Sequence, residues 1–202
     1  MLVVVSFLVG LGVYQMLPAQ VASHWNINGE VDGYMGQFWG AFFAPVISLV
    51  LFLVFLIVPR VDPLKENIEK FRDYYDNTIM FIFMFLFYIY TLALYSNLGY
   101  GVDIIRMISP AFGALFFYLG VALPHTEPNW SLGIRTPWTL SNVEVWKKTH
   151  KLGGSMFKVC GILACLGVVF PEWAMWLILA PLILSSLYLA SYSYSAFKKL
   201  RA

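Results

Sequence analysis

The sequence predicts an all-α polytopic membrane bundle of about six transmembrane helices, and three observations predict it. Of its 202 residues, 60% are hydrophobic and 12% charged, with a mean hydropathy of +0.73, against about 45–50% and about 25% in soluble domains. Long uncharged stretches recur along the whole chain, and the lysines and arginines gather in alternate loops between them. So little polar surface cannot cover a water-soluble globule, which excludes a soluble enzyme and a disordered chain. A net charge of +2 names no polyanionic partner, so no direct nucleic-acid contact is expected and the bilayer is the expected solvent.

The elements follow in chain order, each spanning helix needing about 20 mostly apolar residues. Residues 2–17 are uncharged but short, and are expected to run on through Pro18 toward the interface. Lacking a basic leading stretch and a small-x-small cleavage pattern, they read as a retained helix rather than a signal peptide. Residues 38–58, 77–100, 107–123 and 174–197 carry no charge, and residues 152–170 carry one, Lys158. Loop 18–37 has no Lys or Arg. The following loops hold Arg60, Lys65, Lys70 and Arg72, then Arg106 alone, then Arg135, Lys147, Lys148 and Lys151, and the tail holds Lys198, Lys199 and Arg201. Eleven cations thus fall on one side and one on the other, which by the positive-inside rule places both termini in the cytoplasm and the chain in the plasma membrane. Trp25, Tyr34, Trp39, Tyr100, Trp130, Trp138, Trp173 and Trp176 sit where interface anchors belong.

The charges between Asp62 and Asp76 alternate in sign at i,i+3 and i,i+4, which reads as a solvated helical stem. Cys160 and Cys165 lie in an apolar run and suggest neither a disulfide nor a zinc site. The chain reads as a single integral membrane domain over 1–202, with a two-helix segment (1–59) and a four-helix segment (77–202).

Two polar constellations stand out. In the outer loop, Asn28-Gly29 and Asp32-Gly33 are successive turn signals, so the loop is expected to be compact, with His24 near Glu30 and Asp32. His24, Asn26, Gly29, Glu30 and Asp32 form a candidate recognition surface or a weak His/carboxylate cation site. A capped connector whose polar groups satisfy one another is the alternative, and no metal site is assigned, because no H-E-x-x-H helix is present.

On the inner side, Ser141 with Glu144 reads as a capping box, feeding a short cytoplasmic interfacial helix from Asn142 toward Lys151, before the fifth span. Val143, Trp146 and His150 share one face of it. Arg135 stands alone in an apolar turn with Thr136 and Trp138, to be held by carbonyls, by Glu144 or Glu127, or by stacking on Trp138, as a structural clamp or as a ligand contact. Lys158 either snorkels to the headgroups or faces the bundle, since Gly154, Gly161 and Cys165 fall on its face.

In this order and spacing the two constellations resemble the SdpI family of bacterial and archaeal membrane proteins. The resemblance rests on Leu17-Pro18…His24-Trp25-Asn26…Gly29…Asp32-Gly33, a segment similar to a domain of unknown function. It rests also on Asn129-Trp130…Gly133-Ile134-Arg135-Thr136-Pro137-Trp138-Thr139-Leu140-Ser141…Glu144-Val145-Trp146…Lys148-Thr149-His150. Ala22-Ser23 departs from relatives that carry Pro before the His. What the resemblance implies is a multi-pass immunity protein. The family's best-known member protects a producing cell against its own secreted toxin and, with toxin bound, holds a transcriptional repressor at the membrane.

Three functions are therefore weighed. In the first, a toxin-immunity and signalling receptor, the outer residues face a secreted peptide toxin. Its inner residues Arg135, Thr136, Trp138, Ser141, Glu144, Trp146 and His150 face a cytoplasmic repressor, and no cofactor or catalytic residue is called for. The second is a small transporter using Lys158, which no inverted repeat supports. The third is a membrane enzyme with His125, Glu127, Glu144 and His150 meeting on the cytoplasmic face, for which no nucleophile–base pair is visible.

Overall fold

A computed structural model describes residues 1–200; the tail cation Arg201 lies outside them. Helix α1 (Leu2–Val13) runs through a 3-10 turn, Tyr14–Met16, into a two-stranded antiparallel hairpin, β1 (Gln20–Trp25) and β2 (Val31–Gly36). Then come α2 (Gln37–Val61), a short α3 (Lys65–Glu69), α4 (Arg72–Asn97) and α5 (Ile104–Ala122). A second short helix, α6 (Pro137–Ser141), precedes α7 (Val143–Leu166) and α8 (Ala174–Lys199). The hairpin is an addition to the expected all-helical pattern.

The protein is a multi-pass helical membrane protein. Segments Gln37–Val61, Arg72–Asn97, Ile104–His125 and Pro171–Lys199 are each long and apolar enough to cross a bilayer. Helix α1 is apolar, but its 12 residues make only about 18 Å of helix against about 30 Å of hydrocarbon. Helix α7 has the length but a polar first half, because the interfacial helix and the apolar run after it are one continuous helix. Gly153 and Gly154 do not interrupt it, since both backbones are packed: a Cβ on Gly153 would lie 2.5 Å from Ile134 Cδ1, and one on Gly154 2.5 Å from Pro124 Cγ.

Small residues weld α5 to α7. Between helices in lipid the hydrophobic effect adds little, so close packing of backbones carries the association. Gly113 and Gly120 on α5 face Gly154 and Gly161 on α7. A Cβ on Gly161 would stand 2.7 Å from Gly113 O, and one on Gly120 2.7 Å from Gly154 O. Each pair is two helical turns apart, so each makes a single stripe. Behind that contact, Phe116, Cys160, Ala164 and Ile178 form the core shared with α8. Lys158 lies on the same stripe, half-buried, its Cγ 2.8 Å from where a Gly120 Cβ would stand.

The hairpin is anchored to the bundle by both strand and side chain. Val21 is 2% exposed and fills the space over Gly40, where any Cβ would meet it at 2.6 Å. The Asn97 carboxamide, at the end of α4, completes a strand-like pair with Ala22: Ala22 N donates to Oδ1 (2.7 Å) and Nδ2 donates to Ala22 O (3.0 Å). Gln37 Nε2 donates to Tyr14 O and Leu17 O, each at 2.9 Å, closing the chain's path from α1 to α2.

Candidate functional site

At the hairpin end, Asn26 organises the turn. Its Oδ1 accepts from the amides of Asn28 (2.9 Å) and Glu30 (3.0 Å), and its Nδ2 donates to Glu30 Oε2 (2.9 Å). Gly29 has φ +81, which is open to glycine and strained for other residues. His24 Nδ1 donates to Asp32 Oδ1 at 2.5 Å, so the expected pairing of His24 with a carboxylate is present, with Asp32 rather than Glu30. The two side chains are 71% and 46% exposed, so the pair adds little stability and leaves a wet, addressable surface.

The second turn expected at Asp32-Gly33 is absent. Gly33 lies inside β2 opposite His24, at an irregularity of register, and a Cβ there would meet His24 Cβ at 2.9 Å. Strand pairing overrode the local turn signal. Among the described residues no three His, Cys, Asp or Glu side chains cluster as a metal group.

The end away from the hairpin is built around a carboxylate that the sequence did not mark out. Asp62, 5% exposed, caps the loop after α2: its Oδ1 accepts from Leu64 N (2.8 Å). Its Oδ2 accepts from Trp130 N (2.9 Å) and Ser131 Oγ (2.8 Å), 68 and 69 residues away. Asn67 Nδ2 donates to Pro128 O (2.8 Å), a second tie between the same loops. Asn129, fully buried, folds its own turn by accepting from Ser131 N and Leu132 N and donating to Glu127 O and Leu132 O. The stretch after α2 is therefore not a free solvated stem. Asp62, Ile68 and Phe71 are buried in it, while the expected ion pairs survive at its surface as Arg72 with Glu69 (3.2 Å) and Asp76 (2.8 Å). Asp62-Pro63 is a turn-initiating dipeptide, the one local signal that could have drawn attention to it.

Onto this bracket fold the residues from Gly133 to His150. Trp146, fully buried, donates Nε1–H to Thr126 O (2.9 Å) and stacks on His150 with centroids 3.9 Å apart. His150, 1% exposed, uses both nitrogens: Nδ1–H donates to Trp146 O (2.8 Å) and Nε2 accepts from Ile134 N (2.8 Å). That pairing requires the neutral ring, and burial pushes its pKa down to about 4. Gly133 makes the fit possible. Its φ is +138, and a Cβ would lie 2.5 Å from His150 Nε2. Of the face expected to hold Val143, Trp146 and His150, Val143 is exposed and the other two are buried.

The capping differs from the expected Ser141–Glu144 box. Ser141 ends α6, and its Oγ donates to Trp138 O (3.3 Å). The N-cap of α7 is Asn142, in extended conformation, whose Oδ1 accepts from Glu144 N (2.9 Å) and Val145 N (3.1 Å). A capping box does occur one helix earlier, Thr136 with Thr139 around Pro137 at N1. Asn is at least as good a cap as Ser, and a break at 142 serves both helices.

Glu144 pairs with Lys148 (2.8 Å), a bond that holds the Lys148 ammonium above its ordinary pKa, and Glu127 pairs with Lys147 (3.5 Å). Thr136 Oγ1 meets Ser193 Oγ at 3.0 Å, and Trp138 packs on Tyr194 at 5.1 Å. Of the partners expected for Arg135, the structure supplies a carbonyl: its guanidinium donates to Trp130 O, not to Glu127 or Glu144. His125 stacks on Tyr74 at 4.1 Å. His125, Glu127, Glu144 and His150 are thus held by separate partners.

The comparisons with known proteins fall on these two places. Residues 1–49, which contain the hairpin, match a domain of unknown function (DUF1648), and residues 125–193 match the SdpI/YfhL protein family. The chain is 33% identical over 123 residues to the Immunity protein SdpI of Bacillus subtilis (strain 168). That alignment covers 60% of this chain and 58% of that protein, so less than two thirds of the relative's length is spanned. No solved structure matches the chain significantly. Asp62 and Asn67, which hold this bracket, lie outside both matched family segments.

Proposed function

We propose that this chain, whose residues 125–193 match the SdpI/YfhL protein family, is a membrane immunity and signalling protein. In this reading it is one integral unit of about six crossings with both termini cytoplasmic, the two short ones being Leu2–Met16 and the apolar second half of α7. The outer hairpin meets a secreted peptide toxin, and the exposed rim of the inner bracket meets a cytoplasmic repressor. The observation that carries the reading is the 33% identity to an immunity protein, with the matched family segments holding the hairpin and the 125–150 half of the bracket.

Charge and geometry support the division of labour. The outer side carries Glu30, Asp32, Asp103 and Glu172 against a single base, Arg106, a field that draws a cationic peptide toward the hairpin. The inner rim offers Lys147 and Lys148, exposed on the first turns of α7. Helix α4 touches both ends, at Asn97 beneath the hairpin and at Tyr75 beside the bracket. Those residues are about 33 Å apart along a helix of 1.5 Å rise, so hairpin and bracket communicate only through the bundle.

The test is survival under toxin challenge beside a membrane-recruitment assay for the repressor, at matched protein levels. His24→Ala and Asp32→Ala should weaken protection while the protein still inserts. Lys147→Glu with Lys148→Glu should spare protection and weaken recruitment. Loss of both activities in every variant would overturn the separation of roles and favour a single buried site.

A further inference from the structure

Between α2, α4 and the loop 130–135 lies a cleft of roughly 360 Å³, within the range of about 300–1,000 Å³ typical of small-ligand sites. Its walls away from the bracket are apolar: Val54, Phe55 and Val58 from α2, Ile79 and Ile82 from α4. Its mouth, at the end of α2 and the start of α4, is polar. Arg135 stands there exposed, and among the described residues its guanidinium has one hydrogen bond, to Trp130 O, and no carboxylate partner. The nearby glutamates are engaged elsewhere, Glu127 by Lys147 and Glu144 by Lys148. Tyr75 also lines the cleft. It is 3% exposed, and its hydroxyl is buried beside Ser131 Oγ, which donates to Asp62 and keeps its lone pairs toward the tyrosine. A guanidinium with spare donors at the mouth of an apolar cleft calls for a compact anion with several acceptor oxygens.

We propose that this cleft binds one anionic phospholipid of the inner leaflet, its phosphate on Arg135 and an acyl chain against Val54, Phe55, Ile79 and Ile82. The polar mouth and the apolar depth are set at the two levels that a headgroup and a chain occupy. The unpaired arginine selects a lipid with net negative charge over a zwitterionic one, because a choline would bring a second cation to the guanidinium. A free phosphate would satisfy the mouth and leave the apolar walls unused, so the depth of the cleft favours a lipid. The inference does not rest on the immunity reading, and the experiment below contains no toxin, so either can fail alone.

The experiment measures thermal stability of the full chain in detergent on adding phosphatidylglycerol, phosphatidylcholine with the same chains, or inorganic phosphate. Native mass spectrometry counts retained lipid in the same samples. Phosphatidylglycerol should raise the midpoint and be retained with 1:1 stoichiometry, phosphatidylcholine should do so weakly, and phosphate should do nothing. Arg135→Ala should remove the preference, lowering phosphatidylglycerol retention about tenfold, the factor that one charge-assisted hydrogen bond commands. Val54→Trp, a change at an exposed wall position, leaves Arg135 in place and should block both lipids; it keeps the test alive if Arg135→Ala does not fold. Lys65→Ala with Lys151→Ala, which removes inner-face charge away from the cleft, should leave the preference intact. A preference that survives Arg135→Ala, a shift reproduced by phosphate alone, or indifference to Val54→Trp would each overturn the proposal.

Discussion

Acidification should destabilise the protein through His150, in a window that the structure defines. In the fold the imidazole is neutral because Nε2 must accept the Ile134 amide while Nδ1–H donates to Trp146 O. A proton on Nε2 would set two donors against each other inside a site 1% exposed to solvent. The unfolded chain carries an ordinary histidine at 6.5, whereas the folded one sits at about 4. The unfolded state therefore takes up the proton first. Stability is complete above about pH 6.5 and is lost as the pH falls toward 4, with no further loss from this group below that. A gap of about 2.5 at 1.36 kcal/mol per pKa unit is about 3 kcal/mol for the whole titration, of which about 2 kcal/mol is gone by pH 5. For a chain of this size the full loss corresponds to a midpoint lower by roughly 6–12 °C.

The assay is thermal unfolding of detergent-solubilised protein between pH 7.5 and 4, followed by tryptophan fluorescence. His150→Gln is the control: it keeps an amide oxygen for Ile134 N and an amide donor for Trp146 O, and it does not titrate. It should start less stable than the natural protein and change little across the window. Carboxylates such as Asp62 titrate in both proteins, so only the difference between the curves belongs to His150. A natural protein flat from pH 7 to 4.5, or two curves falling in parallel, would refute the reasoning.

The remaining predictions concern backbone fit, clamping and orientation. Gly133→Ala forces a Cβ to 2.5 Å from His150 Nε2 at φ +138; strain of about 1–3 kcal/mol plus the clash should cut the yield of folded protein, measured as the monodisperse peak in size-exclusion chromatography. Asp62→Ala leaves the Leu64 and Trp130 amides and the Ser131 hydroxyl without their acceptor. At about 1–3 kcal/mol per orphaned group the melting midpoint should drop by more than 5 °C, and Asp62→Asn, which keeps one oxygen, should fall between. Single cysteines at Asn28 or Glu172 should label from outside intact cells, while ones at Glu69 or Asn142 should not; external labelling of Asn142 would reverse the orientation.

What the sequence determined alone is the membrane class, the long apolar helices and the polar character of each end. These follow from transfer free energies that add residue by residue, so composition and the placement of lysines and arginines are sufficient. The hairpin constellation was legible for a related reason: His24, Asn26, Glu30 and Asp32 pair across at most eight residues, close enough for turn chemistry to bring them together. Even there, strand pairing decided that Gly33 would not turn. The bracket around Asp62 belongs to tertiary structure. Asp62 meets Trp130 and Ser131 across 68 and 69 residues, and no local pattern separates such a carboxylate from the solvated charges beside it. Likewise the stripe of Gly154 and Gly161 marked a contact face, but its partner, Gly113 with Gly120, is set by which helix packs there. His150 was readable as a residue of interest; that it is neutral and buried depends on Gly133 bringing the Ile134 amide onto its Nε2. Burial and hydrogen-bond partnership are pair properties, decided by what the bundle brings together rather than by what each residue prefers.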